Sequence, residues 1–219
     1  MRWLLDARKS TMLSKYSKML LASLGLALSL LAPVVAQAQN ADLAGVHYPD
    51  SLKVEGTSLV LNGSGISYRA VAKIYTVALY VPKKGNTADA ILTMAGPKQL
   101  RFVMLQGMRI DEIGKLITTG VENNSTRTQF YGLIPAIRKM GEQFSRIKRM
   151  APGDVFAIEW VPNRGTIFFV NNQPAGLPIQ EPDFFNAILR TWLGKNPPSQ
   201  GLKDALLDYH APPVLNALD

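Results

Sequence analysis

The sequence predicts an α+β fold, in which one antiparallel sheet carries a layer of helices. Three observations lead there. Strand-like and helix-like patterns come in blocks, strands then helices then strands then helices, and do not alternate as they would around a parallel sheet. The run Lys73 to Val81 is mostly apolar on both faces, with Tyr75, Val77, Leu79 and Val81 on one and Ile74, Thr76, Ala78 and Tyr80 on the other. That pattern belongs to a central strand covered from both sides. The third observation is a hairpin, formed by two β-rich runs, 155–161 and 166–170, about Pro162-Asn163-Arg164-Gly165.

The first 38 residues stand apart from this domain. Arg8, Lys9, Lys15 and Lys18 precede an apolar run from Met19 to Leu31, followed by Pro33 and the small-residue pattern Ala36-Gln37-Ala38, which together make an export signal. Cleavage is expected after Ala38, leaving 39–219 as a periplasmic or secreted domain, with Met12 as an alternative start. The apolar run falls short of the roughly 20 residues a spanning helix needs, so no membrane span is expected once the leader is gone. An uncleaved anchor is the other reading.

Within the domain, 58–61, 66–72 and 73–81 read as strands, with Gly63 and Gly65 supplying a turn between the first two through their tolerance of positive φ. Another strand, 100–106, follows the turn at Gly96-Pro97. From Ile110 the period becomes helical through Ile113, Leu116, Ile117 and Val121, with Asp111 and Glu112 at the positive end of the helix. A second helical pattern spans about 129–149, and Pro135 predicts a start near Leu133. After the 155–170 hairpin comes a short strand at 175–178. A helix led by Asp183 then stops at Gly194, and a last one begins at Gly201 or Leu202.

Five of the 24 basic and one of the 16 acidic residues lie in the leader, so the domain keeps 19 and 15. Its basic residues are scattered, and no continuous stripe with interleaved aromatics argues for a nucleic-acid partner. The chain has no cysteine and only His47 and His210 as imidazoles, which removes a thiol nucleophile and makes a metal site or other cofactor unexpected. At about 180 residues the domain buries roughly two-thirds of its unfolded surface without needing disulfides.

The candidate site is Tyr75 with Arg69. On one uninterrupted strand they would lie about 20 Å apart, so they meet only if a turn near 70–73 pairs the two segments. Trp160, Trp192, Phe168, Phe169, Phe184 and Phe185 have the spacings of core packing.

The sequence resembles the chalcone isomerase-like proteins, in particular their exported bacterial branch. The resemblance rests on YPDSLKVEG, LNGSGISYRAVAKIYTVALYV, WVPNRGTIFFVNN and PDFFNAILRTWLGKNPPSQGLKDALL, in that order across nearly all of the domain. It implies an open-faced β-sandwich, a large antiparallel sheet with helices on one side and a ligand cleft between them. The family holds isomerases that close a hydroxychalcone to a flavanone, and non-catalytic members that resemble fatty-acid carriers. At the place of Tyr75 the isomerases carry a Thr that polarises the ketone, and the binders a Tyr that works with an Arg on a carboxylate. The isomerases also place a Tyr and an Asn on the first long helix, near Ile113 and Gly120 here, neither of which is a side-chain donor. Asn123 and Asn124 follow within a turn. Thr191 stands where the isomerases have a cleft-lining Thr, and where the family tends to place an Arg this chain reads Ile66-Ser67, with Arg69 the nearest guanidinium.

Arg69, Tyr75 and Thr191 are therefore the expected ligand contacts. Arg supplies a permanent charge and a two-pronged donor, and Tyr adds a neutral one. The expected function is a non-catalytic binder of a small apolar or fatty-acid-like ligand. The alternatives are a chalcone isomerase-type intramolecular lyase and a structural or interaction domain with no small ligand.

Overall fold

The computed structural model describes residues 43–208; residues 1–42, with the expected leader and its cleavage position, and 209–219, including His210, lie outside the described residues. The chain first lays down β1 (Ser51–Val54), β2 (Thr57–Arg69), β3 (Ala72–Val81), α1 (Ala88–Thr93) and β4 (Lys98–Met104). An insertion follows, made of β5 (Met108–Arg109), α2 (Ile110–Asn123), α3 (Arg127–Phe144) and β6 (Arg149–Met150). Then come β7 (Val155–Val161), β8 (Gly165–Val170), β9 (Gln173–Pro174), α4 (Pro182–Leu193) and α5 (Gln200–Leu206). Strands β1-β2-β3-β4-β7-β8-β9 form one sheet in that order, with every pairing antiparallel, while β5 and β6 pair as a ribbon at the root of the helical insertion.

Strand β3 is central, as its two apolar faces require: every residue from Ile74 to Val81 is buried. Tyr75, Val77, Leu79 and Val81 join Leu100, Phe102, Phe156 and the apolar sides of α2, α3 and α4 in the main core. Ala78 and Tyr80 face the other way and join Leu59, Val161 and Ile167 in a smaller core, against which Leu43, Val46 and Tyr48 of the entering segment pack. Tyr48 fastens that segment: its hydroxyl lies 2.7 Å from Thr76 Oγ1 and donates to the Arg101 carbonyl at 3.3 Å.

Gly63 and Gly65 do not make a turn. Both lie inside β2, and the β2–β3 hairpin closes instead through Ala70 and Val71, with Ala70 at φ 54°. The glycines serve packing, because α5 lies directly on them. A Cβ at residue 63 would stand 2.1 Å from the Ala205 carbonyl oxygen, and one at residue 65 would stand 2.7 Å from Leu202 Cδ1. Buried Asn62 pins the same junction, donating to the carbonyls of Leu206 and Gly85 at 2.7 and 2.9 Å and accepting from the Gly85 amide at 2.8 Å.

Helix α3 begins earlier than Pro135 implies. Thr126 caps it in a reciprocal box with Gln129, and Pro135 sits inside the helix. Pro135 and Tyr131, whose carbonyl loses its helical donor, are both on the exposed side, where water replaces the missing bond. Helix α4 starts on Pro182 rather than through a side-chain cap, and the short strand falls at 173–174, with a further bridge between Thr166 and Ile179.

Burial pushes the Tyr48 hydroxyl up to about 12, and raises Tyr75 and Tyr80 in the same direction. A phenol whose folded value lies above the ordinary value of about 10 stabilises the fold fully below that pH and loses the contribution as pH climbs through its folded value. The melting temperature is therefore expected to fall between about pH 10 and 12, less steeply in Tyr48→Phe. A melting temperature flat across that window would contradict buried, neutral tyrosines.

Candidate functional site

The β2–β3 hairpin sets the position of Tyr75. It pairs Ser67 with Tyr75, and β4 brings Met104 to the other side. Between this pair and Tyr68 opposite Lys73 the register slips by one residue, leaving Ile74 unpaired on β3. The Ile74 carbonyl instead accepts from the amides of Leu105 and Gln106 at 2.9 and 3.1 Å. A bulge of this kind turns two consecutive side chains to the same side, which is why both Ile74 and Tyr75 join the main core.

The Tyr75 ring packs edge-on to Phe102 at 5.5 Å, and Phe102 rests on Trp192 at 5.0 Å. The indole Nε1 of Trp192 donates to the Tyr75 oxygen at 3.2 Å, and Ser67, its cross-strand partner, acts on the same oxygen and helps to lower its pKa. Since an indole can only donate, the phenolic oxygen accepts there and its own proton is left for Ser67. Burial raises the Tyr75 pKa against the smaller lowering effect of these two partners, so the phenol is neutral at ordinary pH. Beside it lies a cavity of about 10 Å³, room for about one water. Phe102 and Met104 of β4, Ile113 and Leu116 of α2, and Trp192 of α4 are among its walls.

The other expected residues lie elsewhere. The turn that pairs the two segments does form, yet the residue it sets opposite Tyr75 is Ser67. Arg69 pairs with Ala72 at the hairpin tip, is exposed, and is joined to Tyr75 by no hydrogen bond. Thr191 is 1% exposed but faces α2, where its side chain fills the space above Gly120, and its Oγ1 has no hydrogen-bond partner among the described residues. Ile113 lines the cavity. Asn124 does not reach it: its amide donates to the Gly120 and Asn196 carbonyls and accepts from the Asn196 amide, tying the end of α2 to the loop after α4. That loop borders an open surface groove of about 550 Å³, away from Tyr75.

Trp192 is the partner that sequence reasoning missed, having grouped it with the core aromatics. Its neighbour held the clue, since consecutive helical residues point about 100° apart; a Thr191 turned to α2 leaves Trp192 turned to the sheet.

The family model described as chalcone isomerase-like matches residues 40–208. The chain belongs to the chalcone isomerase-like family. No curated protein matches the sequence. Among solved structures, this family member is similar to a fatty-acid binding protein of Arabidopsis thaliana at 15% identity and a TM-score of 0.58, over 75% of this chain and 92% of that one. At that identity the likeness concerns the fold, an antiparallel sheet with helices layered on one face, which is the architecture expected of an open-faced β-sandwich.

In this family member the crossing of α2 and α4 depends on a bare backbone at position 120. A Cβ there would stand 2.1 Å from Thr191 Cγ2 and 2.5 Å from its Oγ1. Gly120→Ala should therefore cost about 1–3 kcal/mol through overpacking, read as a lower midpoint in urea, and Thr191→Ala in the same chain should restore most of it. An undiminished midpoint in the single variant would mean that the helices part freely.

Proposed function

We propose that the domain is an exported, non-catalytic binder of a small apolar ligand such as a fatty acid, held between the sheet and helices α2 and α4. The observation that carries this reading is one hydrogen-bonding cluster, Tyr75 with Ser67 and Trp192, set beside a cavity with apolar walls. Apolar walls supply affinity, at about 0.8 kcal/mol for each buried CH₂, and the hydroxyl fixes one polar end. The fatty-acid binding protein of similar fold supports the reading at family level. Ring closure of a chalcone needs donors aimed at a developing enolate, and α2 offers Ile113 and Gly120 at those places. The leader supports export, and no described helix is long and apolar enough to cross a membrane.

A cavity of about 10 Å³ has no room for an alkyl tail, so binding requires α2 to lift from the sheet. Met104, Met108 and half-buried Leu116 are suited to yield, because long unbranched or flexible side chains repack easily. The same small volume favours a second reading, a scaffold with no small ligand.

Mass spectrometry of lipids released from the mature domain, purified from the cell envelope, separates the two. The binder reading expects an aliphatic compound in near-stoichiometric amount; its absence, with no binding of added acids or alcohols, supports the scaffold. A hydroxychalcone should not bleach faster with the protein than without it. Tyr75→Phe should weaken ligand binding by more than about threefold, and it should also lower the melting temperature because the Trp192 N–H loses its acceptor. Arg69→Ala gauges the hairpin tip: a comparable loss keeps Arg69 at the entrance, and unchanged affinity removes it from the site.

A further inference from the structure

Resting on the binder reading but replacing its fatty-acid example with a neutral aliphatic, we propose that the polar end of the ligand is uncharged, a hydroxyl, ester or ketone oxygen on an aliphatic chain, and that an ionised carboxylate is rejected. Every polar group on the Tyr75 cluster is neutral: a phenol, a Ser hydroxyl and an indole N–H. The cations carried by the surrounding elements are at the surface or engaged elsewhere. Arg69 at the hairpin tip, Lys73 and Lys115 are exposed, half-buried Arg101 donates to Asn172, half-buried Arg190 borders the surface groove, Arg109 is exposed and ion-paired with Asp111, and exposed Arg149 covers Gly107 and donates to its carbonyl.

Lys98 is the one buried cation among the described residues, and it shares the inner face of β4 with Phe102 and Met104. It lies about 13 Å along the strand from Phe102, at ~3.3 Å per residue. Its ammonium donates to the Met94 carbonyl at 2.5 Å, at the C-terminal cap of α1. There it satisfies a helix end that favours positive charge.

A carboxylate beside Tyr75 would thus lose its water and gain no counter-charge, a cost of several kcal/mol that neutral donors do not offset. A neutral oxygen meets no such penalty. The Tyr75 hydroxyl can turn its proton from Ser67 to the ligand, and Ser67 can then donate to the phenolic oxygen, so each group keeps a partner. A ligand hydroxyl fits best, since it both accepts from one of these groups and donates to the other.

Isothermal titration of the delipidated mature domain with 1-decanol, methyl decanoate and decanoate tests this at about pH 8, where the acid is ionised. Decanol and the ester are expected to bind, with decanoate weaker than decanol by more than about tenfold. In Ser67→Ala, at a half-buried position whose loss leaves the core intact, decanol should weaken by about threefold or more while methyl decanoate changes less. Decanoate binding as tightly as decanol would overturn the proposal. If Lys98→Met then abolished decanoate binding, the head would lie at the far end of β4. If none of the three probes binds, the cleft is no ligand site and the binder reading fails together with this one.

Discussion

Strand β3 has no side facing water, and the rest of the molecule is arranged to satisfy that. A sheet whose middle strand is apolar above and below must be covered twice. The chain meets one demand with the helical insertion between β4 and β7 and with α4, and the other with the entering segment around Tyr48. The helices cover by bulk, through rows of Ile, Leu and Phe. The entering segment is too short for that and is fastened by tyrosine hydroxyls as well, Tyr48 with Thr76 and Tyr80 donating to the Pro49 carbonyl, within an otherwise apolar face.

Much of this was legible in the sequence because periodicity reports burial directly. The two-sided strand, the 155–170 hairpin and the change of period at Ile110 all correspond to observed elements. Where the reading went astray, a residue's local preference was overridden by a tertiary demand. Gly63 and Gly65 carry the usual signature of a turn, but their missing side chains are filled by α5, which no local pattern announces. Pro135 is an ordinary stop signal, yet the capping box at Thr126 outweighs a single lost bond on a wet face. The ribbon of β5 and β6 is two residues long on each side and leaves no periodic trace.

The candidate site was legible only in part, and the reason is register. Which residue stands across from Tyr75 depends on one unpaired residue, Ile74, and a slip of that size cannot be seen in a strand whose faces are equally apolar. It puts Ser67 where a guanidinium had been sought and leaves Arg69 at the tip. The exchange alters the chemistry of the pocket, from one able to hold an anion to one made of neutral donors and acceptors. Trp192 completes it from a helix more than a hundred residues away in sequence, a distance over which single-strand reasoning has no reach.

The packing of α5 on bare backbone also bears on solubility. β1 pairs only with residues 57–60 of β2, so among the described residues the remainder of that strand, 62–69, has a ladder neighbour on one side alone. Over that same stretch the two glycines leave the face of the strand bare, and the short helix α5, held through Asn62, covers it and adds Leu202 and Leu206 to the core. Shearing it away would bare apolar core next to a strand with an open edge, the combination that recruits a second molecule. A chain clipped before Ser199 is therefore expected to be both less stable and more prone to self-associate.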